Sequence, residues 1–255
     1  MIIDTHAHYE DEQFDIDREK LLGSFPENGI ERVIDCGSSI ETSRQAIELS
    51  EKYDFMNCCV GVHPSETAEL NEEVMEKLSQ MADSSKVVAI GEIGLDYHYP
   101  EPSKEIQMKW FKKQLELARL KRLPVVIHSR DAAEDTYRIL QEFASDELKA
   151  DIHCYSYSPE MAAKFIERGC LIGVGGVITF KNARKLIETV RSVPLTSILL
   201  ETDCPYMAPE PNRGTRNSSL NLKYVIARIA DIKGISTDEV IKITNENAKR
   251  FFDMK

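Results

Sequence analysis

Residues 124–128 read Pro-Val-Val-Ile-His, a short apolar run that ends in an ionisable side chain. Similar runs recur along the chain, separated by longer segments with helical periodicity. They are nearly continuous rather than alternating, as is typical of strands that are covered on both faces. The eight candidate strands lie at residues 1–4, 32–36, 58–62, 87–91, 124–128, 151–153, 170–173 and 197–201.

The segments between these strands carry helix signals. One apolar stripe with spacings of three, four and three consists of Met108, Phe111, Leu115 and Ala118. Ser236 and Glu239 have the spacing of a capping box before a final helix. Eight such units in about 200 residues, with additional C-terminal helices, predict an α/β fold of the (β/α)8 TIM-barrel type. We expect a single domain over residues 1–255. The rival fold, an open doubly wound sheet, is disfavoured because no G-x-G-x-x-G turn follows the first strand.

Composition narrows the class of protein. With 42% hydrophobic and 29% charged residues in 255, the chain has the make-up of a globular protein. Its net charge of −11 disfavours a broad basic face for duplex DNA but allows a small positive site in a cleft. No apolar run reaches the roughly 18 residues of a membrane helix, and no signal peptide is evident, so we expect a cytoplasmic protein. The six cysteines form no C-x-x-C pair, and we expect buried thiols without a redox role.

Ionisable residues cluster where the predicted strands end. They are His6, His8, His63, Glu92, His128, His153 and Asp203. Strand C-termini of a βα barrel open on one rim, so these side chains should converge there. His6 and His8 are two apart on an extended segment and can bind one metal together. Imidazole and carboxylate suit Zn²⁺, Mn²⁺ or Fe²⁺, and carboxylate-rich sites also take Mg²⁺. Without His63, six ligands remain, which are too many for one open site and suit two metals that share a bridge.

The motifs around these residues resemble those of the TatD family of metal-dependent deoxyribonucleases, within the amidohydrolase-like barrels. The resemblance runs in order over nearly the whole chain. Its motifs are Asp4-Thr5-His6-Ala7-His8, Gly61-Val62-His63-Pro64, Gly91-Glu92-Ile93-Gly94-Leu95-Asp96-Tyr97, Pro124-Val125-Val126-Ile127-His128-Ser129-Arg130, His153-Cys154-Tyr155-Ser156 and Glu201-Thr202-Asp203-Cys204-Pro205-Tyr206.

The resemblance implies two divalent metal ions, Mg, Mn or Zn. The implied ligands are His6, His8 and Asp203 for one ion, His128 and His153 for the other, and Glu92 as the bridge. The predicted catalytic residues are Asp203 and Glu92. Asp203 is the natural general base, because it can touch both a metal and the attacking water.

Three residues are predicted to bind substrate. By resemblance His63 contacts a substrate phosphate; the alternative is a hydrogen bond that supports the site. Arg130 follows a ligand strand and could bind phosphate or form a salt bridge that buttresses the rim. Tyr155, like Tyr97, could stack on a base, although tyrosines near a barrel rim often only pack.

We therefore expect hydrolysis of phosphodiester bonds in single-stranded DNA from an end, with no stable protein partner. The alternatives are a small-molecule amide, ester or phosphate, an aminoacyl-tRNA ester, or a metal-binding scaffold without turnover. Two departures from the family pattern bear on substrate preference. Tyr157-Ser158 replaces Gly-Ser, and a bulky Tyr157 could narrow the groove; Ser218-Ser219 replaces Glu-Pro.

Overall fold

The computed structural model describes residues 1–143 and 148–254. Its eight strands form one parallel sheet in the order β1 to β8. A bridge between Ala7 and Cys204 brings the last strand back to the first and nearly closes the barrel. The predicted (β/α)8 fold is confirmed. The strands are β1 Ile2–Ala7, β2 Ile30–Cys36, β3 Met56–Val60, β4 Val87–Asp96, β5 Val125–Arg130, β6 Ala150–Ile152, β7 Leu171–Val174 and β8 Ile198–Leu200.

Helices α1 to α7 each lie between consecutive strands, and α8 and α9 follow β8. They are α1 Arg18–Gly23, α2 Ile40–Lys52, α3 Glu72–Met81, α4 Lys104–Lys121, α5 Ala133–Glu142, α6 Pro159–Glu167, α7 Arg184–Ser192, α8 Leu222–Lys233 and α9 Thr237–Phe251. The α4 stripe is buried at Phe111, Leu115 and Ala118. The Ser236 side chain accepts the backbone N–H of Glu239 and so caps α9 as predicted. Within the described ranges no helix is long and apolar enough to cross a membrane.

Three strands run further than their apolar residues indicate. β1 continues through His6, β4 through Glu92 to Asp96, and β5 through His128 to Arg130. In β4 the pairing with β5 shifts register between Ile90 and Ile93 and then resumes. Backbone pairing does not depend on side-chain polarity, so a strand defined by its apolar run ends too early. The ionisable residues here are therefore held by the sheet itself.

The N-terminal end of the barrel is closed by the last helix. Ile3, Val126 and Leu199 lie near the starts of their strands and pack in one cluster with Phe251 and Phe252. A larger apolar cluster lies between the strands and the ring of helices. All six cysteines are free and five are buried. The single domain over residues 1–255 stays a prediction, which the one continuous sheet supports.

Candidate metal centre

The first group of donors is assembled by contacts between β1 and the segment after β8. The backbone N–H of Asp203 donates to the carbonyl of His6 (2.9 Å), and that of His8 donates to the carbonyl of Cys204 (2.8 Å). The Nε2 atoms of His6 and His8 lie 3.1 Å apart. Asp203 Oδ1 is 3.5 Å from His8 Nε2 and 3.9 Å from His6 Nε2. Two ligands of one ion with metal–nitrogen bonds of about 2.0–2.1 Å lie roughly 3–3.4 Å apart. The distance between His6 and His8 falls in this range and the distances to Asp203 are somewhat longer, so the three side chains are close enough to share a cation.

Glu92 lies between this group and a second one. Its Oε2 atom is 3.6 Å from His6 Nε2 and 3.7 Å from His8 Nε2. Its Oε1 atom is 2.9 Å from His128 Nδ1 and 3.8 Å from His153 Nε2. The two oxygens of one carboxylate thus face two different sets of imidazoles, which is the arrangement that a bridging ligand requires.

Glycines let the strands carry these side chains side by side. Gly94 has φ +142°, and a Cβ there would lie 2.0 Å from the carbonyl oxygen of His128. Gly173 leaves the space that Glu201 occupies, since a Cβ there would lie 2.1 Å from Glu201 Oε2. Any larger residue at either position would displace a neighbour of the site.

Carboxylates stand behind three of the imidazoles and select their tautomers. Glu201 Oε2 is 3.0 Å from His153 Nδ1, and Asp96 Oδ2 is 3.1 Å from His128 Nε2. Glu10 lies 3.5 Å from His8 Nδ1. An imidazole that donates its proton to such a carboxylate presents its other nitrogen as a lone pair.

Sequence reasoning did not assign these three carboxylates a role. The available signal was an acidic residue next to, or inside, an otherwise apolar strand end. Glu201 is fully buried and Asp96 is 6% exposed, which only a specific partner accounts for.

His63 differs from the other imidazoles. Its Nδ1 faces Ser65 rather than a carboxylate: it accepts the backbone N–H of Ser65 (3.2 Å) and lies 2.8 Å from Ser65 Oγ. Burial lowers its pKa to about 4, which keeps the ring neutral. Its Nε2 faces the site and lies 3.9 Å from Glu92 Oε1.

The electrostatics of the cluster favour bound cations. Burial would raise the pKa of Glu92, but hydrogen bonds from His128 and His6 hold it well below its usual value. Burial would likewise raise the pKa of Asp203, yet His8 and then His153 lower it. Burial would lower the pKa of His128, but bonds with Asp96 and Glu92 raise it to about 9. Ionised, buried carboxylates need neighbouring positive charge, and imidazole and carboxylate are donors that divalent metals accept. The residues present fit the metals that the fold implies.

A cavity of about 700 Å³ opens over these donors at the C-terminal rim of the barrel. His63 and Arg130 line it, together with Tyr206 and Met207. Arg130 is exposed, and within residues 1–143 and 148–254 no carboxylate lies within ion-pair distance of it. The salt bridge that was its alternative role is therefore not formed by the described residues.

The structure places Tyr155 differently from the sequence expectation. It is 2% exposed, its hydroxyl donates to the carbonyl of Ser158 (2.6 Å), and it does not line the 700 Å³ cavity. The half-buried Tyr97 donates its hydroxyl to Asp135. Tyr206, which is 49% exposed, is an aromatic side chain that does line the cavity. Its signal was its place three residues after Asp203.

Tyr157 and Ser219, which belong to the two departures from the family pattern, form hydrogen bonds with neighbouring residues of the barrel. The Tyr157 hydroxyl contacts Ser129 Oγ (2.9 Å) and accepts the N–H of Ala132 (3.1 Å), so the ring does not narrow the cavity. Ser219 donates to the buried carboxylate of Asp4 (2.6 Å), and its N–H donates to the hydroxyl of Tyr9 (2.9 Å). Neither change touches the clustered donors.

Together, a (β/α)8 barrel with imidazole and carboxylate donors on its C-terminal rim defines the class of metal-dependent hydrolases. Within that class the chain belongs to the TatD family: the family model described as TatD related DNase matches residues 3–253.

Individual relatives agree with this assignment. YabD of Bacillus subtilis (strain 168), an uncharacterized metal-dependent hydrolase, is 40% identical over 252 residues, 99% of each chain. The crystal structure of YjjV, a TatD homolog from Escherichia coli K12, has a TM-score of 0.94 at 30% identity and covers 100% of this chain and 98% of its own. A TatD family hydrolase from Entamoeba histolytica has a TM-score of 0.87 at 25% identity, covering 98% and 97%.

Proposed function

We propose that this metal-dependent hydrolase is a deoxyribonuclease with two metal ions, which removes nucleotides from an end of single-stranded DNA. The observation that carries the proposal is the position of Glu92, whose two carboxylate oxygens face separate groups of imidazoles. In this proposal His6, His8 and Asp203 would hold one ion, His128 and His153 would hold the other, and Glu92 would be the ligand common to both.

The carboxylates behind the imidazoles support this division of the ligands. Glu201 and Asp96 each contact one ring nitrogen of His153 and His128, and the other nitrogen of each ring faces Glu92, where a bound metal would replace its proton. We assign the proton of His63 to Nε2, because Nδ1 accepts the backbone N–H of Ser65, and a ring N–H suits a phosphate oxygen better than a metal. Its predicted role as a phosphate contact therefore has a physical reason in the tautomer.

The side chains of the protein then position the substrate phosphates and deprotonate the attacking water. A bound pair of divalent ions supplies Lewis acidity at the phosphoryl group and lowers the pKa of a water molecule. Asp203 is ionised because its pKa is depressed, and its side chain is 17% exposed, so it can accept a proton from the attacking water. His63 donates from Nε2 to a phosphate oxygen, and Arg130 binds a phosphate from the cavity wall.

Single-stranded DNA suits the charge and shape of the site. The net charge of −11 leaves little basic surface for a duplex, whereas the metal centre and Arg130 offer local positive charge. A flexible end reaches a recessed rim site without the unstacking that a duplex requires. The description of the matching family as TatD related DNase supports a phosphodiester substrate.

The test is metal removal and replacement. Protein stripped with a chelator is supplied with Mg²⁺, Mn²⁺ or Zn²⁺ and offered end-labelled DNA and RNA, single-stranded and duplex. Ester and amide probes and an aminoacyl-tRNA run alongside, and Asp203→Asn prepared identically controls for contaminating nucleases. We expect metal-dependent shortening of single-stranded DNA one nucleotide at a time. Turnover of a small-molecule probe or the aminoacyl ester alone would replace the proposal, and no turnover of anything would favour a scaffold.

A further inference from the structure

A second cavity adjoins the metal cleft. It has a volume of about 450 Å³, and its walls include Gln13, Phe180 and Arg213. Tyr206 and Met207 line both this cavity and the 700 Å³ cleft over the metal donors. These two residues therefore form a ridge between the cavities, and a chain molecule that leaves the cleft across the ridge enters the second cavity.

Arg213 gives the second cavity an uncompensated positive charge. Its guanidinium lies over the Phe180 ring, 4.3 Å from the ring centroid, and Arg213 is exposed. In the ranges 1–143 and 148–254 no carboxylate pairs with it. Arg216 on the same wall differs, since Asp17 holds it with two bonds of 2.8 and 2.7 Å. In a chain of net charge −11, an arginine held on an aromatic face without a partner favours an anion from outside.

The ridge offers apolar surface in a fixed position. Tyr206 and Met207 are 49% and 46% exposed, although both are large and apolar. The Tyr206 hydroxyl donates to Asp11 (2.9 Å), which fixes the ring on the cleft side. Gly176 lies directly beneath the ridge, where a Cβ would come within 1.9 Å of the Met207 carbonyl oxygen. An exposed aromatic ring beside a phosphate-binding group is a platform on which any nucleobase can stack.

We propose that the second cavity is a nucleotide subsite. Arg213 binds the phosphate next to the scissile one, and the ridge of Tyr206 and Met207 supports the base between the two phosphates. The subsite rests on the proposed function for the identity of its ligand, single-stranded nucleic acid. It adds that substrates need at least two phosphodiester linkages for full efficiency.

The test uses trithymidylate, which has two linkages. Replacing one with a neutral methylphosphonate leaves a single cleavable bond beside an uncharged neighbour, and both isomers are made. In the wild type the isomer whose neutral linkage falls at Arg213 should have kcat/KM about tenfold below the unmodified trinucleotide, the effect of one charge-assisted contact. Arg213→Gln should lower kcat/KM for the unmodified substrate about tenfold and leave kcat/KM for that isomer unchanged.

Arg191→Gln is the matched control. Arg191 is exposed near the end of α7, at the end of the barrel where β8 starts. Its substitution should therefore leave kcat/KM unchanged for both substrates. If Arg213→Gln lowered kcat/KM equally for both trinucleotides, or lowered it for neither, the subsite proposal would be overturned.

Binding is measured separately from turnover, by fluorescence anisotropy with a labelled trithymidylate whose phosphorothioate linkages resist hydrolysis. Weaker binding by Arg213→Gln, with Arg191→Gln unchanged, supports the subsite even if the wild type cleaves no oligonucleotide and the proposed function fails. Equal binding by all three proteins overturns the subsite, whatever the outcome for hydrolysis.

Discussion

The two ends of the barrel are built from the same strands but have opposite chemistry. On β5, Val126 and His128 are two residues apart, so both project to the same side of the sheet. Val126 belongs to the apolar cluster that Phe251, the last residue of α9, completes with the following Phe252, whereas His128 contacts Glu92 and Asp96. We call the apolar cluster at the N-terminal end of the barrel, which includes Val126, Phe251 and Phe252, the floor. A distance of about 6–7 Å along one strand separates this floor from the rim that carries the candidate metal ligands.

This separation allows stability and chemistry to vary independently. At the N-terminal end, α9 and the residues after it cover the strands, so the strand residues there are mostly apolar. At the rim the cover must come from substrate and cations, and the strand residues there carry charge. Substitutions at one end should therefore leave the other end largely unchanged.

The largest effect is expected at Asp203. Asp203→Asn keeps the shape of the side chain but removes the proton acceptor, so kcat should fall about 10³-fold with the melting temperature unchanged. Asp231→Asn makes the same chemical change at an exposed position of α8 and should retain full activity. Steady-state kinetics and thermal unfolding give the answer, and a folded Asp203→Asn enzyme with wild-type kcat would remove Asp203 from the mechanism.

Glu92→Gln should separate the metal pair from the fold. Two cations held close together need an anionic bridge, which an amide cannot provide. Elemental analysis should show metal content falling from about two per chain towards one or fewer, while circular dichroism is unchanged. A variant that binds both metals with wild-type affinity would show that Glu92 is not the bridge.

The floor should respond in the opposite way. Phe251 is 3% exposed, and Phe251→Ala should cost about 3–5 kcal/mol of the free energy of unfolding while kcat per folded molecule stays the same. Ile16→Ala also removes an apolar side chain, but one that is 99% exposed, and should change stability by less than about 0.5 kcal/mol. Urea unfolding measures both. A matching loss of kcat in Phe251→Ala would mean that the two ends are coupled.

A smaller effect, on metal affinity, is expected for Glu201, which hydrogen-bonds to the candidate ligand His153. Glu201→Gln preserves the volume of the side chain but weakens the partner of His153 Nδ1, so metal affinity should fall about 10–100-fold. Competition with a chromogenic chelator measures the affinity, and excess metal should restore most of the activity. Unchanged affinity would assign Glu201 to packing alone.

The smallest effect concerns salt. The positive groups that face substrate are few, so single-stranded DNA binding by folded Asp203→Asn should depend weakly on ionic strength. We expect a slope of log affinity against log salt of about −1 to −2, at about −0.7 for each phosphate neutralised. The titration holds the divalent concentration constant. A much steeper slope would reveal a basic groove outside the rim.

The barrel and the clustered donors could be predicted from local patterns. A continuous apolar run predicts a strand covered on both faces, and a polar residue at its end predicts a place on the rim. That logic placed His6, His128, His153 and Asp203 near one another before any coordinates. It placed strand ends too early, as at Glu92 in β4, because side-chain polarity does not terminate a backbone ladder.

The carboxylates that contact the imidazoles, and the exposure of the tyrosines next to the site, could be identified only from the tertiary structure. Glu201 backs His153 across two strands that are 48 residues apart in sequence, and no local spacing encodes that contact. Tyr155 and Tyr206 both follow ligand positions, yet one is buried and the other exposed, because packing against Tyr157 and Ser158 decides the first. Continuous apolar runs along the chain, each followed by an ionisable residue, thus determined which residues reach the rim. Their hydrogen-bond partners, tautomers and exposure were decided only when distant strands were brought together.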